Sequence, residues 1–371
     1  MSENENLQKK RSGKTFGHLM NELDFDYCLQ CGSCVASCPV GVLQLGEEGP
    51  EIAGGCIGCG LCYSQCPQLV STTEVAEHVF GEEFDQGDFG PFKKAYSAHA
   101  KNPEVEERGQ DGGVITALLV SLLENNYIDG AVLTASGDEP WRPESKVAVD
   151  KEEIIGSAGT IYTRDPKILG VRNAIDVYGL EKIAVVGTPC QMKALRIMET
   201  SIGGLRSLSS RIKLLIGLFC FESFPYSDLK KVVEKELNRD LENVGKMDIE
   251  KGTFILYSEG KPNQELPVSS LKKHAAAPCK VCGDFAAELA DISVGSVGAP
   301  SGQSMVLLRT ARGMEAFDRA LDLEPLELKP LEKTESGVEF VGKISSNKKE
   351  RAQTEIRERK EANQSLPPNV D

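Results

Sequence analysis

Eight cysteines fall in two runs, at positions 28, 31, 34 and 38 and again at 56, 59, 62 and 66, and a proline follows each run, Pro39 and Pro67. The segments YCLQCGSCVASCP and GCIGCGLCYSQCP repeat one another at an offset of 28 residues, the mark of a duplicated half-domain. No other feature of the chain restricts its fold as tightly. In C-x2-C-x2-C-x3-C-P, three cysteines wrap one cubane and the fourth, opening a helix, reaches the neighbouring one. That interleaving assigns Cys28, Cys31, Cys34 and Cys66 to one [4Fe–4S] cluster and Cys56, Cys59, Cys62 and Cys38 to a second. Gly32, Gly58 and Gly60 let the backbone crowd the sulfides, where amide donors tune potential. Structural zinc also takes four thiolates, but zinc ribbons pair two C-x2-C knuckles across a long gap and do not interleave runs that end in Cys-Pro.

The repeat predicts a small α+β two-cluster ferredoxin domain of the bacterial type over residues 21–72, after an N-terminal tail (1–20) and before an acidic, glycine-containing linker (73–90). From about Pro91 short apolar runs alternate with amphipathic stretches. Strands are expected at Asp129–Ala135, Lys182–Val186, Lys213–Phe219, Thr253–Tyr257, Asp291–Val294 and Met305–Arg309, several of them apolar throughout, as in a sheet covered on both faces. Helices are expected at Val114–Glu124, Gln191–Glu199, Tyr226–Leu237 and Gly313–Leu321, so residues 91–343 read as an α/β domain. The charged stretch 344–371 has almost no apolar face and reads as a solvated tail.

A formal net charge of −14 argues against nucleic acid, which needs a concentrated basic surface. The longest apolar runs, Ile115–Leu123 and Ile212–Phe221, are too short to cross a bilayer, and the first twenty residues lack the apolar core of a signal peptide. The expectation is a cytoplasmic protein, in which cysteines serve as metal ligands and not as disulfides.

Four of the twelve cysteines remain. Cys190 closes IAVVGTPC and Cys220 closes KLLIGLFC, both at the carboxyl ends of expected strands, where open α/β sheets keep their ligand sites. Cys279 and Cys282 form the knuckle PCKVCG. Spacing alone leaves three options open: a third cubane, a zinc site, or buried thiols beside an incidental C-x2-C. The four histidines are scattered and take no role.

The segments DGGVITALL (111–119), GTIYT (159–163), VGTPCQMKALR (186–196), GLFCFESFPYSDL (217–229), PCKVCGDFAAELADISVGSVG (278–298) and SMVLLRT (304–310) resemble the β-subunit family of coenzyme F420 hydrogenases and dehydrogenases. With its cysteine repeat the chain resembles the longer members, of the formate dehydrogenase and F420H2 dehydrogenase types. The resemblance implies an α/β flavin domain behind the ferredoxin domain, with FAD exchanging hydride with coenzyme F420. It further implies a third [4Fe–4S] cluster on Cys190, Cys220, Cys279 and Cys282. Implied flavin contacts are Gly112, Gly113, Thr116, Thr160, Tyr162, Thr163, Thr188, Asp291 and Gly295. Asp111 departs from the serine associated with that position, and a carboxylate there would repel a pyrophosphate.

The expected activity is therefore that of a β subunit of an F420-dependent oxidoreductase. It converts hydride into single electrons and passes them to or from a partner oxidoreductase subunit in a hetero-oligomer. Hydride transfer needs no general acid or base, and no catalytic side chain is assigned. Within the family, the alternatives are ferredoxin-linked reductases of the glutamate synthase, sulfite or hydroxymethyl-chlorophyll type. From another class, the alternative is a flavin-free electron adaptor. No G-x-G-x-x-G follows a strand, which weighs against a nicotinamide-binding domain.

Overall fold

The computed structural model describes residues 13–81, 87–200, 205–258, 260–333 and 335–370. Most of the expected N-terminal tail and the middle of the expected linker lie outside the described residues.

Apolar residues three apart start the ferredoxin module earlier than its cysteines do. Helix α1 (Phe16–Glu22) turns Phe16 and Leu19 inward onto Tyr27, Leu43, Tyr63 and Leu69. The module thus begins inside the stretch read as a tail. Its hairpin, β1 (Leu43–Leu45) with β2 (Pro50–Ile52), separates the two cysteine runs. Each run contains a one-turn helix, Ser33–Ala36 or Leu61–Ser64, capped by a left-handed glycine, Gly32 at φ 80° or Gly60 at φ 75°. A Cβ on Gly60 would stand 2.3 Å from the Lys14 carbonyl oxygen, so only glycine fits there.

The expected linker is also structural. Ser71 caps α2 (Thr72–Phe80), which buries Val75 and Ala76 in one core with Ile168, Val171, Leu195 and Met198. Its apolar residues Val75, Ala76, Val79 and Phe80 do fall at helical spacing, but the helix is short and lies in a stretch whose acidic, glycine-containing composition resembles a linker. The ferredoxin module and the α/β domain therefore share packing, reinforced by the Ile168 amide donating to the Cys31 carbonyl at 3.0 Å.

The large sheet contains β3 (Lys94–Ala100), β4 (Gly130–Ser136), β5 (Pro143–Ala148), β6 (Ile183–Gly187), β7 (Ile212–Leu218), β11 (Ile292–Gly295), β12 (Ser304–Leu308) and β13 (Leu326–Leu331). Its order is β13-β3-β12-β11-β7-β6-β4-β5. The central four, β11-β7-β6-β4, run parallel, and antiparallel strands extend both sides. As the apolar runs require, both faces are covered. Helices α3 (Val114–Glu124) and α7 (Ala311–Leu321) cover one face, while α4 (Lys167–Asp176) and α5 (Pro189–Thr200) cover the other. A smaller antiparallel sheet, β8 (Lys246–Glu250), β9 (Thr253–Ser258) and β10 (Lys261–Pro267), packs with α6 (Tyr226–Lys231) over its own core. No helix among the described residues is long and apolar enough to cross a membrane.

The charged C-terminal stretch is not a solvated tail. It forms α8 (Ser336–Glu361), which buries Val338, Val341, Ser345, Lys348, Ala352 and Ile356 along one face. That stripe has helical spacing, but two of its members are polar, which erased the apolar period. Lys349 pairs with Glu288 at 2.9 Å and Arg351 with Glu222 at 3.1 Å. Beyond the helix, the Ser365 carbonyl accepts the Tyr27 hydroxyl at 2.8 Å, so this segment ties the two modules together. Deleting residues 345–371 should lower unfolding stability by at least about 2 kcal/mol, roughly the worth of one large buried side chain. An unchanged denaturation midpoint would show that the helix only rests on the surface.

Candidate redox centres and cofactor cleft

The duplicated cysteine loops fold alike. Gln30 and its repeat-mate Gly58 both adopt positive φ, 51° and 69°, and each donates its amide to the sulfur two residues back, Cys28 or Cys56, at 3.4 Å. Two cavities lie in the module. One is lined by Cys28, Cys31, Cys34 and Cys66 among apolar neighbours. The other is lined by Cys38, Cys56, Cys59 and Cys62. The crossed pairing expected from the spacing is therefore the pairing the fold brings together. Burial pushes the Cys62 thiol up to about 11 and the Cys66 thiol up to about 12. Cys38 goes the other way: burial opposes its thiolate, but the amides of Val42, Val40, Leu43 and Gly41 outweigh it. Among the described residues no three His, Cys, Asp or Glu side chains converge as the ligands of a single ion would. A cubane carries its ligands on four separate irons and needs no such convergence.

The remaining four cysteines also meet. Cys190 opens α5 after β6, Cys220 follows β7, and the knuckle Cys279–Cys282 lies across from them. Burial raises the Cys190 thiol to about 11, and Cys279 and Cys282 lie near enough to act on it. Cys220 is raised by burial too, with Cys279, Cys190 and Cys282 in electrostatic reach. The Ser223 amide donates to Cys279 Sγ at 3.4 Å, and the Thr188 hydroxyl lies 3.3 Å from Cys190 Sγ. Gln191 sets the GTPC turn: its Oε1 accepts the Thr188 amide at 2.9 Å and its Nε2 donates to Asp165. Lys348 of α8 reaches in from the far side and donates to the Cys220 carbonyl at 2.7 Å. Gln191 and Ser223 lay in segments of evident interest but had no ligand chemistry of their own, and Lys348 lay in a stretch read as solvated.

The three quartets form a succession of neighbours. Cys190 is close enough to Cys31 for its charge to raise that thiol, and Cys62 acts likewise on Cys34. Arg164 is within electrostatic reach of both the Cys28 set and the Cys190 set, lowering Cys28 and Cys190 against the stronger effect of burial. At the other end of the succession Cys56 and Cys59 are exposed.

A cleft of about 440 Å³ opens at the carboxyl end of β4, between the 155–161 segment and the small sheet. That falls within the roughly 300–1,000 Å³ of common ligand sites. Thr160 and Gln110 line it, and Gln110 Oε1 is buried without a hydrogen-bond partner. The other residues implied as flavin contacts spread over the neighbourhood. Tyr162 packs edge-on to Phe254 with ring centroids 6.0 Å apart. Thr163 bridges to Phe224 and keeps a buried, unpartnered hydroxyl. Gly113, at φ 64°, caps α3, while Thr116 is buried along that helix. Gly112 is wedged against Ala98 and Ser304, and Gly295 against Phe219. Asp111 is held above the usual carboxylate range by burial, with Asp248 adding to it.

Asp291 is not placed as a flavin contact. It is completely buried and accepts from Arg196 at 2.9 Å, Arg312 at 2.8 Å, Thr310 at 2.7 Å and the Leu215 amide at 2.9 Å. Burial opposes its charge, but the guanidinium of Arg196, then that of Arg312, holds its carboxyl below the ordinary range. It is the anionic centre of a buried ion cluster.

Three family models match the chain. A "4Fe-4S dicluster domain" covers residues 20–67, the N-terminal part of the coenzyme F420 hydrogenase/dehydrogenase β subunit covers 95–169, and its C-terminal part covers 180–334. The class is thus an iron–sulfur protein in which a dicluster domain precedes an α/β domain. The chain belongs to the coenzyme F420 hydrogenase/dehydrogenase β-subunit family. It is 39% identical over 272 residues to the β subunit of coenzyme F420 hydrogenase from Methanothermobacter thermautotrophicus, covering 73% of this chain and 96% of that one. It is 32% identical to one of the subunits of the F(420)H(2) dehydrogenase of Methanosarcina mazei, over 88% of this chain and 90% of the relative. Coenzyme F420-dependent sulfite reductase of Methanocaldococcus jannaschii is 35% identical, over 93% of this chain and 53% of the relative. A chain from the solved F420-reducing [NiFe] hydrogenase complex of Methanosarcina barkeri superposes with a TM-score of 0.72 at 36% identity, covering 76% of this chain and 98% of that one.

Proposed function

We propose that this chain is the F420-exchanging subunit of an oxidoreductase complex. It would hold FAD in the cleft, a third [4Fe–4S] cluster on Cys190, Cys220, Cys279 and Cys282, and two more on the ferredoxin quartets. FAD supplies the conversion between a hydride, exchanged with coenzyme F420, and single electrons. The observation that carries the reading is the succession of three cysteine quartets leading from the sheet's ligand edge to an exposed end.

The protein's own part is to position and to exclude water. Gln110 and Thr160 offer polar atoms on the cleft wall, and the unpartnered Gln110 Oε1 fits a donor on a bound cofactor. Gln191 fixes the turn that presents Cys190, and α2, α4 and α8 hold the ferredoxin module against it. Cys56 and Cys59 lie exposed beside Ile57, itself 62% exposed, an open end suited to a partner subunit. Membership in a family with subunits of hydrogenase and dehydrogenase complexes supports the same hetero-oligomer.

Anaerobic reconstitution with iron and sulfide assays tests the cofactor set. The expected plateau is about twelve irons per chain, four for each quartet, with one FAD. A plateau near eight would remove the third cluster from the account.

A further inference from the structure

Lys348 is almost wholly buried, yet its charge has no ion-pair partner among the described residues. Its neighbours on α8 do have them, Lys349 with Glu288 and Arg351 with Glu222. Lys348 Nζ donates instead to two neutral carbonyls, of Cys220 and Asp284, each at 2.7 Å. An ammonium has three donors, so one is left. The Asp284 carboxylate faces another way, accepting the Glu288 amide at 3.2 and 3.1 Å. The groups acting most strongly on Lys348, after burial itself, are Cys282, Cys220 and Cys279, ahead of the Asp284 carboxylate. A buried cation needs an anion, and a cubane on four thiolates is one.

We propose that Lys348 is the buried counter-cation of the cluster held by Cys190, Cys220, Cys279 and Cys282, a positioning residue delivered by the C-terminal helix that favours that cluster's reduced state. This rests on the reading that those four cysteines hold a cubane. One-electron reduction adds a negative charge to the cluster and leaves the ammonium unchanged, so the reduced form gains more from it. The helix that delivers it lies beyond residue 334, where the match to the family model ends.

The test compares full-length wild type, Lys348→Met, Lys348→Arg and Cys279→Ser by iron assay and EPR-monitored redox titration. The third cluster is identified as the signal that Cys279→Ser loses. Lys348→Met should favour the oxidised form about tenfold at fixed potential, a fall of about 59 mV for a one-electron couple, and Lys348→Arg should restore most of it. Loss of the third cluster in Met but not in Arg would support the same role. A potential unchanged in Lys348→Met, or cluster loss in both variants, would overturn it. If wild type itself stops near eight irons, the cluster reading fails first, and the inference falls with it.

Discussion

Asp291→Ala should lower unfolding stability by about 3–5 kcal/mol, because it leaves the buried guanidinium of Arg196, and the partly exposed one of Arg312, without their shared anion. Arg196 is 4% exposed and has Glu199 as its only other carboxylate among the described residues, which it shares with Arg312. The ion cluster links α5, β7, the start of β11 and α7, so its loss should register in global denaturation. The pH dependence has a definite sign. The native carboxyl titrates below its ordinary value of 3.8, so the stabilisation is complete at neutral pH and is lost as pH falls through that lower native value. Urea denaturation at neutral pH reads the main effect. A wild-type midpoint combined with lost flavin binding would instead return Asp291 to the cofactor site.

Asp291 also shows where reading the sequence ran out. The segment ADISVGSVG matches the family and starts a strand, both of which are legible, but its acid is claimed by arginines 95 and 21 residues away in sequence. Local pattern cannot reveal that. The two ferredoxin quartets were legible because ligand chemistry fixes both residue type and spacing, whereas Cys190, Cys220, Cys279 and Cys282 were joined only by the family resemblance. The central strands were legible because IAVVG and KLLIGL are apolar on both faces. Strand β13, with Pro330 and alternating charge, is an edge strand and carries no such signal. Helix α8 was missed because Ser345 and Lys348 sit in its buried stripe, and what buries Lys348 is tertiary.

Cys59→Ser should divide the electron path in two. The side chain is exposed at the far end of the succession, on the cavity it shares with Cys38, Cys56 and Cys62, and it is remote in that succession from Cys190. Its loss should disable one ferredoxin cluster while the cleft keeps its residues and its cofactor. Reduction of bound FAD by F420H2 should then continue at the wild-type rate, while transfer to the natural partner falls to background. Loss of both activities in a folded variant would mean that the quartets do not work in the order in which they stand.

The central claim is that the cleft serves a deazaflavin donor. Anaerobic stopped-flow mixing of the oxidised, FAD-loaded protein with F420H2 or NADH tests it directly through bleaching of the flavin. Hydride transfer requires near-attack geometry between rings, and the chain carries no dinucleotide fingerprint to orient a nicotinamide. The account predicts rapid bleaching by F420H2 and far slower bleaching by NADH. Equal or faster reduction by NADH, or protein that retains no FAD after anaerobic purification, would contradict it.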